Sequence, residues 1–269
     1  MYLADYHLHA SCSPDGILTI PQIAQRAIEV GLDEICITDH LDTIWWKDYS
    51  PRDSFDWPEV LRQYEEAQNL YGDKIKIRLG AEQGEAVINF DIADKLQREA
   101  PPLDFIIGSV HTTNKKLGYF DIYYMEERGN DYYNAIIDGY MEETMNLLRW
   151  GKFHVLGHLM LPLRYLQRRF GIVLPPDPWM DRIEEVLRYL VDHGLGLEIN
   201  TGTGTVHLPS EDVLRRYRRL GGELITIGSD AHKAEHIGAG IAQAQETLRR
   251  LGWQYFATFE QGKPIFHHL

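Results

Sequence analysis

The sequence predicts an α/β barrel, and three observations predict it. Short, apolar, β-rich runs alternate with helical patterns along the whole chain, which favours parallel strands joined by crossover helices. Several runs, such as Phe105-Ile106-Ile107, are continuously apolar, as strands covered on both faces are. The chain has 269 residues, enough for one large domain with a full core. About seven strand–helix units fit along it, and that number favours a closed barrel over an open sheet.

The elements follow in order. Residues 3–9 read as the first strand. Thr19-Ile20-Pro21 opens a helix with proline in its first turn, and the helix runs to Val30 before Gly31. The second strand is 34–38. A helix over 57–71 stops at Gly72, and the third and fourth strands are 75–81 and 105–110. A helix over 135–150 stops at Gly151, before a fifth strand at 154–157. Residues 178–193 carry Ile183, Val186, Leu187, Leu190 and Val191, an apolar stripe at helical spacing that ends at Gly194. A strand at 195–200, a helix at 209–220, a strand at 223–228 and a helix at 235–251 complete the alternation. Residues 253–259 and 264–268 flank Gln261-Gly262 and read as a hairpin. Residues 41–55 are aromatic and polar without a period, a loop placed over the barrel mouth. With no internal repeat, low-complexity segment or linker, residues 1–269 read as one domain.

Composition narrows the function. Lys+Arg 27 against Asp+Glu 40 give a net charge of -13, which argues against a nucleic-acid surface. Cys12 and Cys36 are the only cysteines, too few for a disulfide framework or a cysteine-built zinc site. No apolar stretch has the length of a membrane span, and Met1-Tyr2-Leu3-Ala4-Asp5 lacks the basic start of a signal peptide. The expectation is a cytoplasmic protein without a membrane partner, its oligomeric state left open.

Metal-capable side chains gather at the ends of the expected strands. His7 and His9 end the first. His40 follows the second, Glu82 the third, His111 the fourth and His158 the fifth. Asp230 and His232 follow the seventh. In an α/β barrel the C-terminal strand ends converge on one face, so residues distant in sequence would meet in one cup. His7-x-His9 puts two imidazoles on one strand face, and Asp230-x-His232 offers a carboxylate and an imidazole in the same way. Such ligands suit Zn, Fe or Mn.

These motifs, taken as His7-x-His9, Thr38-Asp39-His40, Gly80-Ala81-Glu82, Ser109-Val110-His111, Gly157-His158 and Ser229-Asp230-Ala231-His232, resemble in order and spacing those of the polymerase and histidinol phosphatase (PHP) superfamily. The resemblance runs from about residue 5 to residue 238. It implies a distorted (β/α)7 barrel with three divalent metal ions. The first would be held by His7, His9, Glu82 and Asp230. The second would share Glu82 with His111 and His158, and the third would take Asp15, His40 and His232. Pro14-Asp15-Gly16 also reads simply as a turn.

Gly108-Ser109-Val110-His111 and Leu197-Glu198-Ile199-Asn200-Thr201 are similar to the histidinol-phosphate phosphatase branch. The activity implied is hydrolysis of a small phosphorylated metabolite, most simply histidinol phosphate, by a metal-bridging hydroxide. The alternative is a phosphodiesterase or phosphatase of the same superfamily acting on small nucleotides or another small phosphoester. Arg164 stands where that branch has a residue suited to the phosphate. The loop 200–207 carries no Lys or Arg where that branch tends to have one, and His207 is the nearest substitute. His207 and His236 are the candidates to protonate the leaving group. Asp5 and Asp39 flank ligand histidines and are placed to orient them, and Trp45, Trp46 and Tyr49 are placed at the pocket rim.

Overall fold

The computed structural model describes residues 1–205 and 207–269. Strands β1 (Ala4–Leu8), β2 (Glu34–Ile37), β3 (Lys76–Gly84), β4 (Phe105–Ser109), β5 (Val155–Leu156), β6 (Gly196–Asn200) and β7 (Ile225–Gly228) form one seven-stranded sheet in chain order. Every neighbouring pair is parallel. The register is staggered as barrel closure requires: Lys76 to Leu79 of β3 pair with β2, and Gly80 to Gly84 pair with β4. The first and last strands nearly close the circle. Leu8 bridges Ala231 in parallel, the Asp230 N–H donates to the His7 carbonyl at 2.9 Å, and the His9 N–H donates to the Ala231 carbonyl at 3.0 Å.

Helices fill the crossovers: α1 (Ile20–Glu29), α2 (Trp57–Tyr71), α3 (Phe90–Glu99), α4 (Asn130–Trp150), α5 (Leu161–Phe170), α6 (Met180–Asp192), the single turn α7 (Gly202–Thr205), α8 (Glu211–Arg219) and α9 (Ile241–Arg250). The start of α1 is fixed by a capping box between Thr19 and Gln22. The expected stripe on α6 is buried at Ile183, Val186, Leu187 and Leu190, each worth ~1.5–3 kcal/mol for full burial. The chain ends in an antiparallel hairpin, β8 (Tyr255–Glu260) and β9 (Lys263–His268). Its turn is held by Asp104, whose side chain and carbonyl accept from Gln261 and Gly262 just before β4 begins. The hairpin therefore seals the N-terminal ends of the strands, with Phe256 and Phe259 buried.

The structure departs from the expected elements chiefly in four places. Helices α3 and α5 were not anticipated. Only Ala93 and Leu96 of α3 are buried, too few to show a period, and α5 buries Arg164 on its inner face, which hides its apolar stripe. The last expected helix is split. A 3-10 turn covers Ala234–His236, and Gly238 and Gly240, at φ 74° and 77°, delay α9. Finally β3 runs on to Gly84, so Glu82 lies inside the strand instead of following it. Its Gly-Ala-Glu-Gln-Gly stretch has little intrinsic strand preference, and pairing with β4 overrides that.

Candidate metal centre

The C-terminal strand ends bring the expected ligands together. Glu82, 1% exposed, is the hub. Its Oε1 lies 2.9 Å from His158 Nε2 and 3.4 Å from the Nε2 atoms of both His7 and His111. Its Oε2 lies 2.9 Å from His40 Nδ1 and 3.6 Å from His9 Nε2. Asp230 Oδ1 stands 3.7 Å from His7 Nε2 and 3.6 Å from His9 Nε2. Asp15, on the turn between β1 and α1, places Oδ2 3.0 Å from His232 Nε2 and Oδ1 3.7 Å from His40 Nε2. Three sets of potential ligand atoms result, each within 4.8 Å internally: His9, Asp15, His40 and His232; His7, His9 and Asp230; Glu82, His111 and His158. His9 thus belongs to two sets.

The backbone is bent to make this cup. Asp230 and His158 adopt φ of 61° and 22°, a region unfavourable for residues with a Cβ and typical of functional sites. Gly228 shows how tightly the parts fit. A Cβ there would press on the His7 Cβ and lie 2.7 Å from Glu198 Oε1.

Buried carboxylates and hydroxyls behind the ligands set the ring orientations. His7 Nδ1 is 2.6 Å from Glu198 Oε1, and Glu198 Oε2 accepts from the His158 N–H at 2.8 Å. His111 donates its N–H to Glu85 Oε1 at 2.8 Å, with its Nδ1 3.3 Å from Oε2. Ser13 Oγ lies 3.2 Å from His9 Nδ1, accepts from the His40 N–H at 2.9 Å and donates to Asp39 Oδ1 at 2.8 Å. Such partners fix the tautomer that leaves the other ring nitrogen as a ligand.

That other nitrogen then faces carboxylate oxygens without a well-formed hydrogen bond. His7 Nε2, His9 Nε2, His40 Nδ1, His232 Nε2 and Glu82 Oε2 are buried and have no hydrogen bond. Buried polar atoms are normally satisfied, so convergent orphans of this chemistry fit divalent cations. The charges agree. Burial alone would raise the Glu82 carboxyl, but His7, His40 and His111 hold it well below the usual carboxylate range. Burial likewise opposes ionisation of Asp230, and His7, His9 and His232 override it. His9 is pushed down to about 3 by burial and by His232 and His40, which keeps its lone pair available.

A PHP domain matches residues 5–202. The chain belongs to the PHP domain family. It is 29% identical to a probable histidinol-phosphatase of Thermotoga maritima, over 98% of this chain and 97% of that protein. It is 28% identical to the histidinol-phosphatase of Lactococcus lactis, over 95% and 93% of the two chains. The crystal structure of histidinol phosphate phosphatase from Lactococcus lactis, in complex with zinc, L-histidinol and phosphate, superposes with a TM-score of 0.79 at 26% identity, covering 98% of each chain.

In this PHP barrel the cluster opens into a cavity of about 450 Å³, lined by Asp15, His40, Glu82, His111, His158, Asp230 and His232 among others. Arg164 stands behind that lining at 1% exposure. Its Nη2 donates to the Asn200 carbonyl at 2.8 Å, and its Nη1 is 3.6 Å from Asp230 Oδ2. The structure does not bring His207 or His236 to the cavity. The His207 ring lines a separate pocket with Thr201, Gly240 and Gln243, its Nδ1 3.1 Å from the Pro209 carbonyl. His236 closes the short turn before the Gly238 bend, which carries it off the strand end. Asp39 reaches His9 and His40 through Ser13, its Oδ1 accepting from the Ser13 hydroxyl and the Ala10 N–H at 2.8 and 2.6 Å. Asp5 accepts from the His7 N–H at 3.4 Å and also ties down the barrel seam, accepting from the Ser229 and Gly238 N–H groups at 2.8 and 2.9 Å. Trp46 lines the cavity, whereas Trp45 lies 47% exposed with the Arg52 guanidinium 4.9 Å from its ring centre.

Sequence reasoning passed over the orienting roles of Ser13, Glu85 and Glu198. For Glu198 a signal exists: with Asn200 it is polar at every second position of an apolar strand. Glu85 gave none, because its role depends on a left-handed backbone at φ 51°.

Proposed function

We propose that this chain is a metal-dependent phosphomonoesterase that hydrolyses histidinol phosphate. The observation that carries the reading is the set of buried imidazole nitrogens that converge around Glu82 without a hydrogen bond. It is joined to full-length similarity to histidinol-phosphatases, one of them solved with zinc, L-histidinol and phosphate. The three sets of ligand atoms support a count of three cations, with Asp15 in the third.

Phosphate monoesters hydrolyse slowly because an anionic nucleophile must approach an anionic phosphorus. When bound, divalent cations supply Lewis acidity, which lowers the pKa of a water and offsets charge on the phosphoryl oxygens. The chain's own part is positional. With a cation bound, His7 would keep its ring proton on Nδ1 against Glu198 and turn the Nε2 lone pair inward. Glu85 anchors His111 through the backbone N–H and steers its ring. Arg164 fixes Asp230 and the end of β6, and adds positive charge behind the phosphoryl site. Burial of Glu82, His7, His9 and His158 keeps bulk water from competing for those groups.

No helix among the described residues is long and apolar enough to cross a membrane, and cytoplasmic residence belongs to this proposal. The test is a panel of phosphate esters assayed with protein loaded with Zn, Mn or Fe. Selective turnover of L-histidinol phosphate is expected. Turnover restricted to phosphodiesters or bis-phosphorylated nucleotides would overturn the reading.

A further inference from the structure

Asp42 is a buried carboxylate, 0% exposed, that the chemistry above leaves unused. It lies in the 41–55 segment, which is pinned to the end of β3. His40 bridges Glu82 in parallel, the Leu41 N–H donates to the Glu82 carbonyl at 2.8 Å, and the Thr43 hydroxyl donates to the Glu85 carbonyl at 2.6 Å. Arg52, 5% exposed, closes the segment. Its backbone N–H donates to the Thr43 carbonyl at 2.9 Å, and its Nη1 donates to the His40 carbonyl at 3.2 Å. The segment therefore braces His40.

The two oxygens of Asp42 differ. Oδ2 accepts from Trp46 Nε1 at 2.8 Å. Oδ1 has no hydrogen bond, and it is hemmed in, since a Cβ at Gly84 would strike it. It lies 3.6 Å from His40 Nδ1, a nitrogen that also has no hydrogen bond. Two buried atoms, one able to donate and one to accept, thus stand just beyond hydrogen-bond reach of each other.

The neighbouring ligands show which nitrogen His40 offers. It belongs to the set with His9, Asp15 and His232. His9 Nδ1 lies 3.2 Å from Ser13 Oγ, and His232 Nδ1 lies 3.1 Å from the Asp230 carbonyl oxygen. Both rings therefore have Nε2 left for the set. His40 Nε2 is the nitrogen 3.7 Å from Asp15 Oδ1. By the same pattern its ring proton belongs on Nδ1, where it needs an acceptor. Glu82 Oε2 is nearer, at 2.9 Å, but makes no well-formed hydrogen bond, and a Glu82 that ligates cations has its lone pairs committed. Asp42 Oδ1 has no other duty.

We propose that Asp42 is the positioning residue for His40: its Oδ1 accepts the Nδ1 proton and so directs Nε2 toward the cation shared with Asp15 and His232. The inference rests on the three-cation reading of the site and deepens it. Trp46 holds the second oxygen and keeps the carboxylate from turning away. Glu198 serves His7, and Glu85 serves His111, in the same manner.

The competing reading is that Asp42 only anchors Trp46. Asp42→Asn separates the two. An amide has one acceptor oxygen, which Trp46 Nε1 keeps, and its NH2 cannot accept the His40 proton. The experiment takes zinc-loaded protein through chelator competition and elemental analysis, beside long-range proton–nitrogen NMR of the histidine rings. Wild-type protein should show His40 protonated on Nδ1. Asp42→Asn should hold one of its zinc ions roughly 10–100-fold more weakly and keep the others at wild-type affinity. The melting temperature of the chelator-treated variant should match that of chelator-treated wild type, which a role in anchoring alone does not require. A wild-type His40 protonated on Nε2, or an Asp42→Asn variant with every zinc ion at wild-type affinity, would overturn the assignment of Asp42 and leave the metal centre standing. Wild-type protein that takes up no zinc, manganese or iron would remove the metal centre and the assignment together.

Discussion

One carboxylate can organise several strands. Glu198 on β6 reaches His7 of β1 through Oε1 and the His158 backbone after β5 through Oε2, and Asn200 Nδ2 donates to the same Oε2 at 3.2 Å. Glu198→Gln replaces one acceptor oxygen with a donor and should weaken metal affinity or turnover by roughly 10–100-fold, read by chelator competition and by kcat/KM. Unchanged metal affinity and turnover would show that His7 holds its orientation unaided. His111→Ala removes a candidate ligand from the set with Glu82 and His158. It should lower metal content and abolish turnover, checked by elemental analysis beside activity. A third residue bears on stability alone. Burial holds His154 neutral and lowers its pKa from 6.5, and its Nδ1 accepts from the Ile106 N–H at 2.8 Å. Above its unfolded-state pKa this histidine makes stability independent of pH. As pH falls below that value the unfolded chain binds the proton first, and stability is lost down to the folded-state pKa. His154→Gln should flatten the fall in urea midpoint between about pH 7 and pH 5, measured against wild type.

At the scale of elements, legibility followed the strength of local signals. Helix α2 matches the expected 57–71 because Asp56 caps it and Pro58 sits in its first turn. Helices α3 and α5 were missed because their inward faces carry few apolar residues, and α5 turns Arg164 inward. The strands were readable as apolar runs, but the extension of β3 past Ala81 was not, since its polar and glycine residues look like a loop. That extension places Glu82 at the centre of the site. The seam between β1 and β7 depends on Gly228, where any side chain would strike His7. Gly228→Ala should destabilise the fold by about 1–3 kcal/mol and lower metal content, read from thermal unfolding and elemental analysis. A variant as stable and as metal-loaded as wild type would show that the seam adjusts freely.

For the whole molecule, stability and metal binding are linked. Carboxylates and imidazoles packed at the barrel mouth favour cations in the folded state, and the unfolded chain has no such arrangement. Removing metal with a chelator should lower the melting temperature by about 10 °C, and adding Zn or Mn should restore it. A melting temperature indifferent to chelator would count against the metal centre itself. The order of motifs, the strand–helix alternation and the closing hairpin were set by the sequence alone, because each rests on residues near one another in the chain. Those patterns were enough to bring His7, His9, His40, Glu82, His111, His158, Asp230 and His232 to one face. Tertiary structure alone decided the rest: Arg164 behind Asp230, His207 and His236 away from the cavity, and Glu198 and Glu85 behind the ligands. Those placements depend on loop paths and on backbone bends at Glu85, His158 and Asp230, and such conformations are stabilised by contacts between distant segments, which no local pattern encodes.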